Sequence, residues 1–120
     1  RKTIDERYRE QLSQIKGIHC LPPTGQTASN YSYFPILVTG DYPLTRDELY
    51  EKLKQNNVFA RRYFYPLISE FEMYSELPTA AKDNLPIASK AAQQVLCLPI
   101  YTALDKEQQD QIIQLLTGNL

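Results

Sequence analysis

The sequence predicts an α+β domain: a two-layer sandwich in which a small, mostly antiparallel three-stranded sheet carries helices packed on one face. Three runs rich in β-branched and aromatic residues, at 31–39, 58–65 and 96–101, read as strands. The segments around them place apolar residues at helical spacing, several behind capping signatures. The resulting order is α-β-α-β-(α)-α-β-α. With 120 residues, 42% of them hydrophobic, it fits one modest core between helices and a sheet. These signals leave strand order open.

The first helix is predicted from a capping box, Thr3-x-x-Glu6, followed by Ile4, Tyr8, Leu12 and Ile15 at helical spacing. Gly17 is its expected end. Asp5, Arg9, Gln11 and Lys16 fall on the opposite, solvent-facing side. The chain begins at Arg1 and enters this helix at once, which reads as a piece of a longer protein.

Ile18 to Leu21 reads as a short extended piece. Pro22-Pro23-Thr24-Gly25 breaks regular structure, and residues 25–30 read as a loop. In the first strand run, Pro35 points to an edge position or a bulge, because proline cannot donate to a ladder. Alternation puts Tyr31, Tyr33 and Pro35 on one face and Ser32, Phe34 and Ile36 on the other.

A second capping box, Thr45-x-x-Glu48, opens a helix whose buried stripe is Leu49, Tyr50 and Leu53, and Asn56-Asn57 ends it. The strand at 58–65 follows, stopped by Pro66. Residues 67–84 fit either a short helix or irregular turns. Pro86 starts another helix, with Ile87, Ala91 and Val95 as its stripe and Ala88 and Ala92 beside it. After the strand at 96–101, Asp105 and Gln108 form a third box. Ile112, Ile113, Leu115 and Leu116 supply the last buried face, and Gly118 closes the helix.

Composition narrows function. Charge is balanced, 13 Lys+Arg against 14 Asp+Glu, so no basic face is available for nucleic acid. No apolar run approaches the roughly 20 residues of a membrane span, and no signal-peptide core is present, so a cytoplasmic location is expected. Cys20, Cys97 and His19 are too few and too scattered for a structural zinc site, which takes about four ligands. The cysteines read as reduced and buried. There is no Ser/His/Asp or Cys/His set to assemble and no glycine-rich phosphate loop. Asp47, Glu48, Glu51, Asp105, Glu107 and Asp110 fall on solvent faces of helices.

The polar, rigid residues concentrate in Arg61-Arg62-Tyr63-Phe64-Tyr65-Pro66. Arginine binds carboxylate or phosphate by a two-pronged hydrogen bond, and tyrosine adds a stacking ring and a hydroxyl. Together they suit an anionic, ring-bearing ligand. Equally, an arginine here can pair with a helix carboxylate while the tyrosines pack. On a strand, Arg61, Tyr63 and Tyr65 share one face and Arg62 and Phe64 the other; alternation does not decide which arginine serves a site. Asn30-Tyr31-Ser32-Tyr33 is a second polar-aromatic cluster, expected near the first if the two strands pair.

The residues quoted so far resemble the C-terminal region of the DegT/DnrJ/StrS family of sugar-nucleotide aminotransferases. The resemblance rests on four pieces in order: Asn30-Tyr31-Ser32-Tyr33-Phe34-Pro35; the helix from Thr45 to Leu53; Asn57 through Pro66; and Leu85-Pro86-Ile87-Ala88 through Val95-Leu96-Cys97-Leu98-Pro99-Ile100-Tyr101. It implies a fold type I enzyme whose large domain, outside this chain, carries pyridoxal phosphate and its Schiff-base lysine. Residues 1–17 would then be a linker helix and residues 18–120 the C-terminal small domain, not catalytic and binding no cofactor alone. Lys2, Lys16, Lys52, Lys54, Lys82, Lys90 and Lys106 match no Schiff-base motif of the family. The implied parent is a cytoplasmic homodimer that passes an amino group, from glutamate, to a keto-sugar nucleotide in amino-sugar and polysaccharide biosynthesis. Many members carry a His-Tyr-Pro type segment where this chain has Arg62 to Pro66, so no histidine role transfers. The implied substrate-side residues are Arg62, Tyr63 and Tyr65, then Asn30 and Tyr31, and they are expected to look exposed and under-employed in this piece alone. Two other classes remain open from sequence: an independent small-ligand-binding or regulatory α+β module, and a purely structural dimerisation piece.

Overall fold

A computed structural model describes residues 1–22, 29–62 and 65–118. Among these residues four α-helices, α1 (Lys2–Leu12), α2 (Arg46–Gln55), α3 (Pro86–Gln94) and α4 (Lys106–Thr117), accompany three strands, β1 (Ile18–Cys20), β2 (Phe34–Val38) and β3 (Val95–Leu98). The strands form one antiparallel sheet in the order β1-β2-β3. The predicted small antiparallel α+β architecture is therefore what the chain adopts, with one exchange of strands.

That exchange is the main correction. The short extended piece at Ile18–Cys20 is a full member of the sheet, paired with Ile36–Val38. The run at 58–65 is not. Of its described residues only Arg61 joins the ladder, in an isolated bridge to Cys97 with N–H···O distances of 3.0 and 2.7 Å. Val58 and Ala60 are buried in the core, but the Val58 N–H donates to the Leu53 carbonyl at 2.8 Å, tying the segment to the end of α2. The apolar signal came from that burial, not from pairing. Tyr63 and Phe64 lie outside the described residues, as does most of the predicted loop at 25–30.

Pro35 also departs from expectation, because it sits in the central strand opposite Cys97. Hydrogen bonding explains how. Cys97 exchanges both its backbone bonds with Arg61 on the far side of β3, so Pro35 and Cys97 form a non-hydrogen-bonded pair. The nitrogen of Pro35 therefore points toward β1, which has already ended at Cys20, opposite Ile36. No ladder bond is forfeited, and the rule that confines proline to edges is met locally.

The core lies between the sheet and α1, α2 and α4. Phe34, Ile36 and Val38 meet Tyr8, Leu12, Leu49, Leu53, Leu96, Leu115 and Leu116 there. Tyr8 stacks obliquely on Phe34 with ring centroids 4.9 Å apart, and its hydroxyl donates to the Pro99 carbonyl at 2.8 Å. Burial pushes the Tyr8 phenol well above its ordinary range. All four residues of β3 are buried, so the strand is covered on both faces.

The helix signals fare unevenly. The boxes Thr45/Glu48 and Asp105/Gln108 both close reciprocally, and Gly118 takes the left-handed conformation after α4 (φ +84°). The Thr3 box does not form: the N-cap is Arg1, two residues before Thr3, and it makes no side-chain cap bond. Asp5, expected in solvent, is buried and accepts a bond from Arg9 Nε at 2.7 Å. Gly17 does not cap α1, which ends at Leu12. It has φ +87°, and a Cβ there would fall 2.2 Å from the Tyr42 nitrogen. Ile87 is 84% exposed, and the residue that α3 buries is Ala92.

Candidate ligand-binding wall

The N-terminal turn of α2 organises the site. Arg46 follows the Thr45 cap directly, where a cation opposes the helix dipole. Three acceptors compensate it. Its Nη1 donates to the carbonyls of Ala92 and Val95, at 2.8 and 3.0 Å, and its Nε to Asp47 Oδ1 at 2.8 Å. Two of these are end carbonyls of α3, where a cation is favourable. The side chain is only 2% exposed.

Tyr65 lies over this buried group, with the Arg46 guanidinium 5.0 Å from its ring centroid. Arg62 reaches the same ring at 4.6 Å and the Tyr50 ring at 5.0 Å. The Arg62 Nη1 also stands 3.6 Å from Asp47 Oδ1, the oxygen that Arg46 engages. Two guanidinium groups thus share one tyrosine ring and one carboxylate oxygen. The cluster of Arg46, Arg62 and Asp47 carries a net positive charge, with Arg62 36% exposed at its side chain. Such a wall can receive an anionic group on Arg62 and a flat or apolar group beside the rings.

Of the residues proposed from sequence, the structure brings Arg62 and Tyr65 together, against the alternation that separated them. That rule applies to a strand, and neither Arg62 nor Tyr65 is part of one. Tyr65 is 45% exposed and Arg62 is exposed, as expected, but neither is under-employed. Tyr63 lies outside the described residues. Asn30 is exposed and accepts the Ser32 N–H at 3.1 Å in a tight turn. Tyr31 is half-buried, packs against the core and has φ +53°. Neither joins the Arg62 cluster. Their neighbours Ser32 and Tyr33 instead line a separate hollow of about 260 Å³ with Arg61, Phe59 and Tyr101.

Asp47 is on a solvent face as expected, 62% exposed at its side chain, and also accepts from Arg46. Sequence reasoning missed Arg46. The signal was present. Residues 46, 49 and 53 fall on one helical stripe, so a cation shares the stripe of Leu49 and Leu53 and must find partners.

The remaining chemistry-bearing groups are quiet. Cys97 is buried, and burial pushes its thiol up to about 11, against a smaller opposing pull from Arg61. Cys20 is half-buried and also raised by burial. Both are free thiols. Among the described residues no cluster of His, Cys, Asp and Glu could hold a metal ion, and no helix is long and apolar enough to cross a membrane.

The described residues thus define a small α+β domain with a partly exposed arginine–tyrosine wall beside the start of α2. The chain belongs to the DegT/DnrJ/EryC1/StrS aminotransferase family, whose profile matches residues 1–117. It is 51% identical over its whole length to a dTDP-4-amino-4,6-dideoxy-D-glucose transaminase of Escherichia coli, covering 32% of that protein. It is 46% identical over 107 residues to the transaminase of the same name from Shigella dysenteriae, covering 89% of this chain and 29% of that one. Among solved structures, DesI in the presence of its TDP-sugar product superposes with a TM-score of 0.87 at 28% identity, over 98% of this chain and 29% of that one. The chain thus spans about a third of the length of the relatives it matches.

The pyridoxal phosphate implied by the family resemblance requires a lysine to hold it covalently. Lys52 is half-buried, and its ammonium donates to the Leu115 carbonyl at 2.9 Å, at the end of α4. Lys2, Lys16, Lys54, Lys90 and Lys106 are exposed. The Lys52 ammonium is thus already engaged by a backbone carbonyl at the end of α4.

Proposed function

We propose that residues 18–120 are the C-terminal small domain of a pyridoxal phosphate-dependent sugar aminotransferase, and that residues 1–17 lead into it from a large domain. The parent transfers an amino group, from glutamate, to a dTDP-linked keto-sugar. It works as a cytoplasmic homodimer in amino-sugar and polysaccharide biosynthesis. The observation that carries this reading is the 51% identity along the entire chain to the E. coli transaminase.

The geometry supports a role for the wall. Arg62 offers its guanidinium to the nucleotide's phosphates or the sugar's polar groups, and Tyr65 and Tyr50 hold it in place. Tyr63, Asn30 and Tyr31 are proposed as further substrate-side contacts. The cofactor and its lysine belong to the large domain.

The surface supports the domain assignment. From Tyr65 to Ile87 the chain runs through three 3₁₀ turns, Ile68–Glu70, Pro78–Ala80 and Lys82–Asn84. Ile68, Met73, Leu77 and Ile87 along it are 68%, 75%, 52% and 84% exposed. Several large apolar side chains exposed along one segment support reading it as an interaction face. The large domain of the parent is its proposed cover.

The test uses the full-length protein. It should show internal-aldimine absorbance that borohydride fixes onto a lysine outside residues 1–120. It should also convert a dTDP-4-keto-6-deoxy sugar to the amino sugar with glutamate, followed by mass spectrometry. A full-length protein that binds no pyridoxal phosphate, or makes no amino sugar, overturns the proposal.

A further inference from the structure

We infer that Arg46 is a positioning residue for the ligand's anionic group: held by the end carbonyls of α3, it acts through the Tyr65 ring to set the orientation of Arg62. The inference rests on the proposed function, because it assigns the anion to a nucleoside diphosphate.

Three observations carry it. First, Arg46 is anchored independently of any ligand. Its two bonds to the Ala92 and Val95 carbonyls are buried and join α2 to the junction of α3 and β3. Its position is therefore set by the fold. Second, the Tyr65 ring lies within 5.0 Å of both guanidinium groups, at 5.0 Å from Arg46 and 4.6 Å from Arg62. A ring held by a fixed cation has little freedom to swing, although the residue is 45% exposed. Third, the orientation of Arg62 depends on rings more than on its ion pair. It stacks on Tyr65 and Tyr50, while its carboxylate partner stands at 3.6 Å and is itself 62% exposed. An exposed pair at that distance fixes geometry weakly.

The consequence is directional. Arg62 contacts the anion, and Tyr65 and Arg46 fix how its fork is presented. Loss of the fixed geometry lowers affinity without touching the reacting atoms, which lie on the other domain. Such a change raises KM and leaves kcat nearly as it was.

The experiment is a double-mutant cycle in the full-length enzyme. Arg46→Met and Tyr65→Leu are made singly and together. KM and kcat are read with the nucleotide sugar, and dTDP affinity by calorimetry. Each single change is expected to raise KM and the dTDP Kd by about tenfold, with kcat within threefold. The double variant is expected to resemble either single one, because both remove the same support. Tyr65→Phe, which keeps the ring, should rescue most of the rise in KM and Kd that Tyr65→Leu causes. Additive effects, or an Arg46→Met enzyme of lowered Tm with unchanged KM and Kd, would overturn the inference. Should Arg46→Met fail to fold, Arg46→Lys replaces it in the cycle. It keeps a charged donor for the carbonyls but lacks the planar face over Tyr65, and the same coupling is expected. A wild-type protein that neither transaminates nor binds dTDP would instead bring down the functional proposal. A wild type that does both, with variants that leave KM and Kd unchanged, brings down this inference alone.

Discussion

The sheet face beneath α1, α2 and α4 and the segment from Tyr65 to Ile87 are made of similar residues put to opposite use. In the first, Tyr8, Phe34, Leu12, Ile36, Leu49, Leu53, Leu96, Leu115 and Leu116 are each less than 2% exposed. In the second, Ile68, Met73 and Ile87 stand open at 68%, 75% and 84%. Buried apolar area is worth about 25 cal/mol per Å², so the first region accounts for the domain's stability and the second contributes little of it. The lesson is that hydrophobicity in this chain has two destinations. One part closes the domain, and the other stays exposed. Arg62 and Tyr65 sit where the second region begins.

Substitutions should separate the two regions sharply. Phe34→Ala removes a ring packed on Tyr8 and under the Arg9 guanidinium, 5.4 Å away. It should cost about 3–5 kcal/mol, read by denaturant unfolding, and a cost below 1 kcal/mol would break the contrast. Alkali should act on the same region. The buried Cys97 thiol is raised from 9.0 to about 11, so its folded neutral form persists where the unfolded one ionises. That contribution is complete below pH 9 and is lost as pH rises toward 11, up to about 2–3 kcal/mol. Tyr8 and Tyr42, raised by burial from 10.0, add to the loss at higher pH. Stability that stays level from pH 8 to 11, followed by circular dichroism, would contradict this.

Smaller effects sharpen the boundary. Gly17→Ala forces a side chain onto φ +87° and against the Tyr42 backbone, and should cost about 2 kcal/mol by thermal unfolding. Asp105→Ala removes the cap of α4 and should cost about 1 kcal/mol. Ile87→Ser, in the open region, should change the unfolding of this chain by less than about 0.5 kcal/mol. In the full-length protein the same change should destabilise measurably more, as its proposed cover would lose a contact. Equal effects in both settings would argue against that cover.

The legible parts of the fold were those whose hydrogen bonds close within a few residues. The caps at Thr45 and Asp105, the start at Pro86 and the stop at Gly118 are of this kind, and each formed as read. The box at Thr3 failed because nothing in a local signature says that a helix will begin two residues earlier. Of the candidate wall, the concentration of arginine and tyrosine at 61–65 was visible from sequence. The wall's second cation, Arg46, was not read, although its place on the stripe of Leu49 and Leu53 hinted at it.

By itself the sequence determined the four helices, the apolar stripes that make most of the core, and a family resemblance spread over four pieces in order. Only the tertiary structure decided which extended pieces pair. It made Ile18–Cys20 a strand, left Arg61 as a single bridge and admitted Pro35 to the centre of the sheet. It also decided that Arg46 would be buried and that Arg62 would meet Tyr65. The physical reason is range. A helix and its cap satisfy their own backbone within one turn, whereas a ladder bond or a ring over a guanidinium needs two distant segments brought together, and no local pattern encodes that meeting.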